Sequence, residues 1–231
     1  MALAFFYLSQ YDPGDAEIVL GEDNSRHIVQ VLRMQKGQQL QLTDGRGRLL
    51  TATILDDHKK KCRVRVDDSV LLPARAKKIT IGMALLKNAS RYEWFLEKAA
   101  EIGVTGIIPL LSERTEKQHF RQDRMQNILV SALLQSQQTW LPVLYPPTQV
   151  EEVVREAKQG QRLIAHCLEG GGRQSLPEGN EQLILIGPEG DFTKTEIDAA
   201  LEHGFLPVTL GETRLRTETA GVVAAALMCI R

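Results

Sequence analysis

The chain has 231 residues, of which 43% are hydrophobic and 25% charged, and its formal net charge is -1. This composition supports one or two folded domains and excludes a disordered chain, while the near-zero charge excludes a protein that is basic throughout. Three cysteines, Cys62, Cys167 and Cys229, form no C-x-x-C pair, which argues against a disulfide framework or a structural zinc and for a reducing cytoplasm.

The opening MALAFFYLSQ is apolar for too few residues to span a membrane and has no basic residue ahead of the apolar run, so an early strand fits it better than a signal peptide. FFYL and EIVL read as short strands. EDNSRHIVQVLRM reads as a helix with Ile28, Val31 and Leu32 on one face. QQLQLTDGRGRLLTATIL is strand type on both sides of DGRG, where Asp-Gly favours the positive φ of a tight hairpin turn. CRVRV alternates as one more strand. The basic residues between Arg46 and Arg65 offer a local patch for a polyanion, although charge alone favours a solvated strand-and-turn surface.

At LLPARAKK the pattern resets, and we expect a boundary that leaves a β domain over residues 1–73 and an α/β domain over 74–231. Strands and helices then alternate: ITIGMALL, a helix RYEWFLEKAAEI stopped by Gly103, GIIPLL, a helix FRQDRMQNILVSALLQSQ, RLIAHCL and QLILIG. Thr148 with Glu151, and Thr193 with Glu196, are spaced as capping boxes, and Gly204 is a natural helix stop. Such alternation predicts a mostly parallel sheet covered on both faces.

Two strand ends carry the chemistry. LILIGPEGDFTKTE, Leu183 to Glu196, is an apolar strand that ends in Gly187, Pro188, Glu189 and Gly190, followed by a capped helix. Glycines there let a ligand approach the backbone beyond the carboxyl end of a parallel strand. It has neither the P-loop pattern nor the three-glycine dinucleotide pattern. PVTLG, ending in Leu210 and Gly211, is a second strand with a glycine turn, and LRTETA follows it directly before the small-residue helix AGVVAAALMCI. Together they would form a polar-walled cleft suited to a nucleoside-like ligand. Thr217 and Glu218 could instead simply cap the last helix.

The ordered set IGPEG, LG and LRTETA resembles the signature of the SPOUT (SpoU-TrmD) methyltransferases. With HIVQVLRMQKGQQLQLTDGRG, Lys87 ahead of RYEWFLEKAAEIGVTGIIPL, and SERT, nearly the whole chain resembles the RsmE family, which methylates N3 of a uridine in 16S ribosomal RNA. The resemblance implies a PUA-like RNA-binding β-barrel followed by an α/β domain with a deep trefoil knot. It also implies S-adenosylmethionine as cofactor, no metal, a homodimer, and small-subunit RNA or the assembled subunit as partner. The cofactor would be held by Ile186, Gly187, Pro188, Glu189, Gly190, Leu210, Gly211, Leu215, Arg216, Thr217, Glu218, Thr219 and Ala220. Arg216 is expected nearest the chemistry, with Glu189 and Glu218 orienting polar groups or accepting a proton; the alternative for Arg216 is a structural ion pair with Glu218. Arg26, Arg33, Arg46, Arg48, Lys87 and Arg91 are candidate RNA contacts, whereas His27 and His166 read as structural.

The chain departs from the family pattern in places. Asp191 stands for the second glycine of GPEGG, adding a Cβ and a carboxylate; Leu134 and Gln138 replace residues that are often acidic and basic; Thr213 stands where arginine is common. Two other readings stay open: a methyltransferase of the same fold acting on tRNA or another ribosomal position, and a non-catalytic RNA-binding module.

Overall fold

The structure, a computed structural model, describes residues 3–116, 119–168, 172 and 174–230. The chain divides into two units: the first runs through Ala74 and also takes in Leu133–Leu141, and the second comprises Arg75–Ala132 and the chain from Pro142 onward. The segment 133–141, which the sequence reading leaves in the C-terminal domain, therefore counts with the first unit.

The first unit contains β1 (Phe5–Tyr7), β2 (Glu17–Val19), α1 (Glu22–Arg26), β3 (Gln39–Thr43), β4 (Arg48–Asp56) and β5 (Arg63–Leu71). These strands form one sheet in the order β1-β3-β4-β5-β2, antiparallel except for β1 beside β3. Period-two alternation along β4 sends Leu50, Ala52 and Ile54 into a core shared with Phe6, Leu40, Leu42 and Val64. The hairpin predicted at DGRG is present: Gly45 and Gly47 have φ of 70° and 93°. Asp44 Oδ1 accepts from the backbone N–H groups of Arg46 at 2.7 Å and Arg48 at 3.2 Å.

After Arg26 the helix widens into a π-turn, His27–Val31, closed by Leu32 N–H donating to His27 O at 2.9 Å. This changes the expected face. Ile28 is buried, but Val31 and Leu32 are 65% and 45% exposed, because an i→i+5 bond rotates the following residues away from the α-helical register.

The second unit contains β6 (Lys78–Ala84), α2 (Ala89–Ile102), β7 (Gly106–Leu111), α3 (Gln122–Gln135, whose last residues count with the first unit), β8 (Val143–Leu144), β9 (Thr148–Gln149) and α4 (Val150–Glu156). There follow β10 (Gln161–Ala165), β11 (Gln174–Ser175), β12 (Glu181–Ile186), α5 (Lys194–Glu202), β13 (Leu206–Thr209) and α6 (Thr217–Ile230). All its strand pairs are parallel, in the order β11-β13-β10-β12-β6-β7-β8, with β9 also on β7. On one face Ile108, Leu110, Ile164, Leu183 and Leu185 pack with Val153 and Val154 of α4 and Ile197 and Ala200 of α5. Elsewhere α6 packs against α2 and β6. Gly221 marks the tightest approach there, since a Cβ on it would lie 2.7 Å from the Phe95 ring and 2.9 Å from Met83 Sδ.

Helix ends follow local chemistry. Asn88 accepts from Ser90 N–H at the start of α2, and Gly103 ends it at φ 103°. The capping box at α5 is complete, with Thr193 and Glu196 bonded reciprocally, and Gly204 follows that helix at φ 79°. The box expected at Thr148 and Glu151 does not form. Thr148 is drawn into β9 beside β7, its hydroxyl donates to Pro146 O at 2.9 Å, and α4 starts after an N-cap Gln149 that makes no side-chain cap.

Candidate functional site

Because β13, β10 and β12 are neighbours and parallel, their carboxyl ends bring three loops side by side. Between those loops and the start of α6 lies a cavity of about 620 Å³. Its size falls within the usual range for sites that enclose a small molecule. Apolar Ile186, Val208, Leu210, Leu215 and Ala220 share the wall with Glu189, Asp191, Thr209, Glu212, Arg214 and Arg216.

Ten expected cofactor residues line the cavity: Ile186, Gly187, Pro188, Glu189, Leu210, Gly211, Leu215, Arg216, Thr217 and Ala220. Gly187 permits the sharp turn after β12, since a Cβ there would sit 3.0 Å from Phe192 N. Gly211 has φ 150° and no atom within 4 Å of the place a Cβ would take, so its backbone lies open. Gly190, Glu218 and Thr219 are outside the lining. The carbonyl of Gly190 instead accepts from Arg114 Nη1 at 2.5 Å.

Ala165 at the end of β10, with His166 and Cys167 just beyond it, completes the wall, although no motif in the sequence singles these residues out. The signal is in RLIAHCL, which reads as a strand, since ligands in parallel sheets contact the ends of adjacent strands. Thr213, at a position of family departure, also lines the cavity, whereas Leu134 and Gln138 lie in the segment that counts with the first unit.

Asp191 is a further wall residue. It adopts φ 64°, a left-handed conformation that glycine would take at little cost. Its carboxylate accepts from Phe192 N–H at 2.8 Å and from Cys167 N–H at 2.7 Å, tying the β12 loop to the β10 loop. Glu196 does similar work behind the wall. Buried at the start of α5, it accepts from Thr193 N–H at 2.8 Å and from Glu113 N–H at 3.0 Å, which joins the loop after β7 to the helix that follows β12.

The charged candidates separate clearly. Arg216 is exposed, and its side chain makes no hydrogen bond or ion pair among the described residues. Glu218 points into the protein, where its Oε1 lies 3.6 Å from Arg91 Nε and its buried Oε2 has no hydrogen-bond partner among the described residues. The expected alternative of an Arg216–Glu218 pair is thus replaced by Arg91–Glu218. Lys87 pairs with Glu116 at 2.9 Å, and that hydrogen bond, with a smaller contribution from Glu189, raises its ammonium pKa above the ordinary lysine value.

In the first unit, Arg26 pairs with Glu22 at 2.9 Å. Arg48 donates to Ser69 Oγ at 3.1 Å and lies over the Tyr11 ring. Arg33 and Arg46 are exposed and make no ion pair among the described residues. The cysteines are free thiols. Among the described residues no three His, Cys, Asp or Glu side chains are grouped to hold a metal ion.

The family model for the RNA methyltransferase domain matches residues 73–229, and the model for the RNA methyltransferase PUA domain matches residues 20–67. The Ribosomal RNA small subunit methyltransferase E of Synechocystis sp. is 30% identical over 223 residues, covering 92% of this chain and 72% of that protein. A crystal structure from Porphyromonas gingivalis, described as a probable rRNA-methyltransferase, superposes with a TM-score of 0.90 at 40% identity, covering 97% of this chain and 96% of the other. The crystal structure of Ribosomal RNA small subunit methyltransferase E from Neisseria gonorrhoeae bound to S-adenosyl methionine gives a TM-score of 0.87 at 28% identity, covering 97% and 96%.

Proposed function

Since the chain belongs to the RNA methyltransferase family, with that family's PUA domain ahead of its methyltransferase domain, we propose that it transfers the methyl group of S-adenosylmethionine to N3 of a uridine in 16S ribosomal RNA. The observation that carries this reading is the cavity at the ends of β10, β12 and β13, walled by the IGPEG, LG and LRTETA loops. Its volume, its open backbone at Gly211 and its mixture of apolar and polar wall suit a nucleoside joined to a charged amino-acid tail.

When bound, S-adenosylmethionine supplies a sulfonium-activated methyl group. This chain's residues then orient the acceptor, exclude water and manage one proton. Uridine N3 carries a proton that must leave as the new bond forms, and negative charge collects on the adjacent uracil carbonyl oxygens. Arg216, in the cavity wall with no anion engaging it among the described residues, is assigned to those oxygens. Glu189, also in the wall and near Lys87, is assigned as the acceptor for the proton or the group that orients it. Glu218 is assigned to hold Arg91. Arg26, Arg33, Arg46 and Arg48 of the first unit and Lys87 and Arg91 of the second are read as phosphate contacts, which give affinity without reading sequence.

Three further readings go with this one. The C-terminal chain is read as a trefoil knot, supported by the return of α6 from β13 at the side of the sheet to α2 and β6. A homodimer is read from the family resemblance. The reaction is read as cytoplasmic, on ribosomal RNA or the assembled small subunit; no helix among the described residues is long and apolar enough to cross a membrane.

The test is to incubate the protein with small-subunit RNA and methyl-labelled S-adenosylmethionine, then identify the labelled nucleoside by mass spectrometry. N3-methyluridine is expected. A different methylated nucleoside would redirect the assignment to another RNA position, and absence of cofactor binding in calorimetry would favour a non-catalytic RNA-binding module.

A further inference from the structure

The turn between β3 and β4 is held by a stretch of chain far away in sequence. Gly47 N–H donates to Thr139 O and Leu141 N–H donates to Gly45 O, each at 2.8 Å, and Arg46 forms an antiparallel bridge with Trp140. The Trp140 indole N–H donates to the carbonyls of Leu72 and Pro73, at 3.3 Å and 3.0 Å. Leu72 N–H in turn donates to Gly47 O at 2.8 Å. The indole lies so close that a Cβ on Gly47 would be 2.3 Å from its Cζ2.

A turn with two left-handed glycines has many conformations open to it, and ordering them during binding would cost affinity. Here that ordering is already done in the folded protein. The edge formed by Thr139, Trp140 and Leu141 saturates the turn's backbone groups on one side, while Arg46 on the same turn is exposed. Arg48, the first residue of β4, is steadied by Ser69 and Tyr11.

We propose that Trp140 is a positioning residue for RNA: the Thr139–Leu141 edge clasps the Gly45–Gly47 turn and presents Arg46 and Arg48 as a preformed grip on phosphate. The inference rests on the reading that basic residues of the first unit contact RNA. Nothing in the composition of QQTWLP announces such a role, because its contacts are made with residues 67 or more positions earlier, a separation that only the folded chain closes.

The test is a double-mutant cycle in the full chain, read by small-subunit RNA affinity at fixed salt, KM for RNA, kcat, and cofactor affinity. Trp140→Ala is expected to raise the RNA Kd and KM about tenfold, with kcat and cofactor affinity within about twofold of the native values. Arg46→Ala combined with Arg48→Ala is expected to cost about tenfold in the native background and under about twofold once Trp140 is alanine. Trp140→Phe keeps a ring over Gly47 but loses the indole N–H; it is carried through the same cycle, is expected to keep about half of the coupling, and decides the matter if the alanine variant does not fold. Equal arginine costs in all backgrounds would overturn the clasp and leave RNA binding by the first unit intact. Arginine variants without effect on the native protein would overturn that RNA reading, and the clasp's role with it.

Discussion

Arg91 and Glu218 meet between the first turn of α2 and the first turn of α6, with Nε 3.6 Å from Oε1. Glu218 is nearly sealed from solvent, while Arg91 is 40% exposed, so the arginine compensates a buried carboxylate from a partly solvated position. LRTETA therefore divides its labour: Arg216 and Thr217 face the cavity, and Glu218 faces the protein.

Removing Arg91 leaves that carboxylate without its counter-charge. Arg91→Ala is expected to lower unfolding stability by about 1–2 kcal/mol, less than for a fully buried pair because the arginine is partly solvated. Urea denaturation checks this. Glu218→Gln should cost less, and the double variant should cost no more than Arg91→Ala alone; additive losses would dissolve the pairing.

Arg216 has no such structural debt. Arg216→Ala should leave stability within about 0.5 kcal/mol of native and cofactor affinity nearly intact. Methyl transfer should fall by roughly a hundredfold to a thousandfold. Single-turnover kinetics with RNA in excess measure that step, and unchanged turnover would remove Arg216 from the mechanism.

Asp191 carries two demands, a left-handed backbone and a bridge between loops. Asp191→Ala loses the bridge and keeps the strain, so calorimetry should show S-adenosylmethionine binding weakened about tenfold. Asp191→Gly relieves the backbone and should fall between alanine and native. Alanine and glycine variants that both bind as tightly as the native protein would mean that the carboxylate bridge does not shape the cavity.

Gly221 has no room for a methyl group between Phe95 and Met83. Gly221→Ala is expected to destabilise the second unit by about 1–3 kcal/mol through overpacking, outweighing the modest helix-propensity gain of alanine. Thermal unfolding followed by circular dichroism reports it; a rise in melting temperature would show that α6 can shift freely.

Burial pushes the thiols of Cys62 and Cys229 up to about 11 from 9.0. The unfolded chain loses these protons first as pH rises, so it binds fewer protons than the folded chain and stability declines between pH 9 and 11, with the full contribution present below pH 9. Denaturation midpoints across that window, compared with Cys62→Ala, measure the slope. Native-state alkylation at pH 8 should mark the exposed Cys167 ahead of Cys62.

Much of this was written locally. Thr193 and Glu196 satisfy each other within one turn, so their spacing is enough to locate α5. Thr148 and Glu151 have the same spacing, but β7 competes for Thr148 and wins, a contest invisible in a short window. Val31 and Leu32 turn outward because the π-turn over His27–Val31 shifts the register after Ile28, which is buried in the β core. The IGPEG and LRTETA loops announce themselves by their glycines and charges, while His166 and Cys167 enter the cavity only because β10 happens to lie between β12 and β13. Arg91 as the partner of Glu218, and Trp140 as the support of Gly47, are pairings across long stretches of chain that no periodicity encodes.

The pairing of β6 with β12, from Lys78 opposite Glu181 to Met83 opposite Ile186, sets the order in which the second unit can come into being. Its first strand can pair with β7 early, but it gains the neighbour on its other side only after about a hundred further residues have been made, so the sheet is completed late. The cavity walls, drawn from segments between Ala165 and Ala220, inherit that delay. Folding of this unit is expected to be slow and late, and cofactor binding becomes a sensitive readout of whether the chain has finished folding.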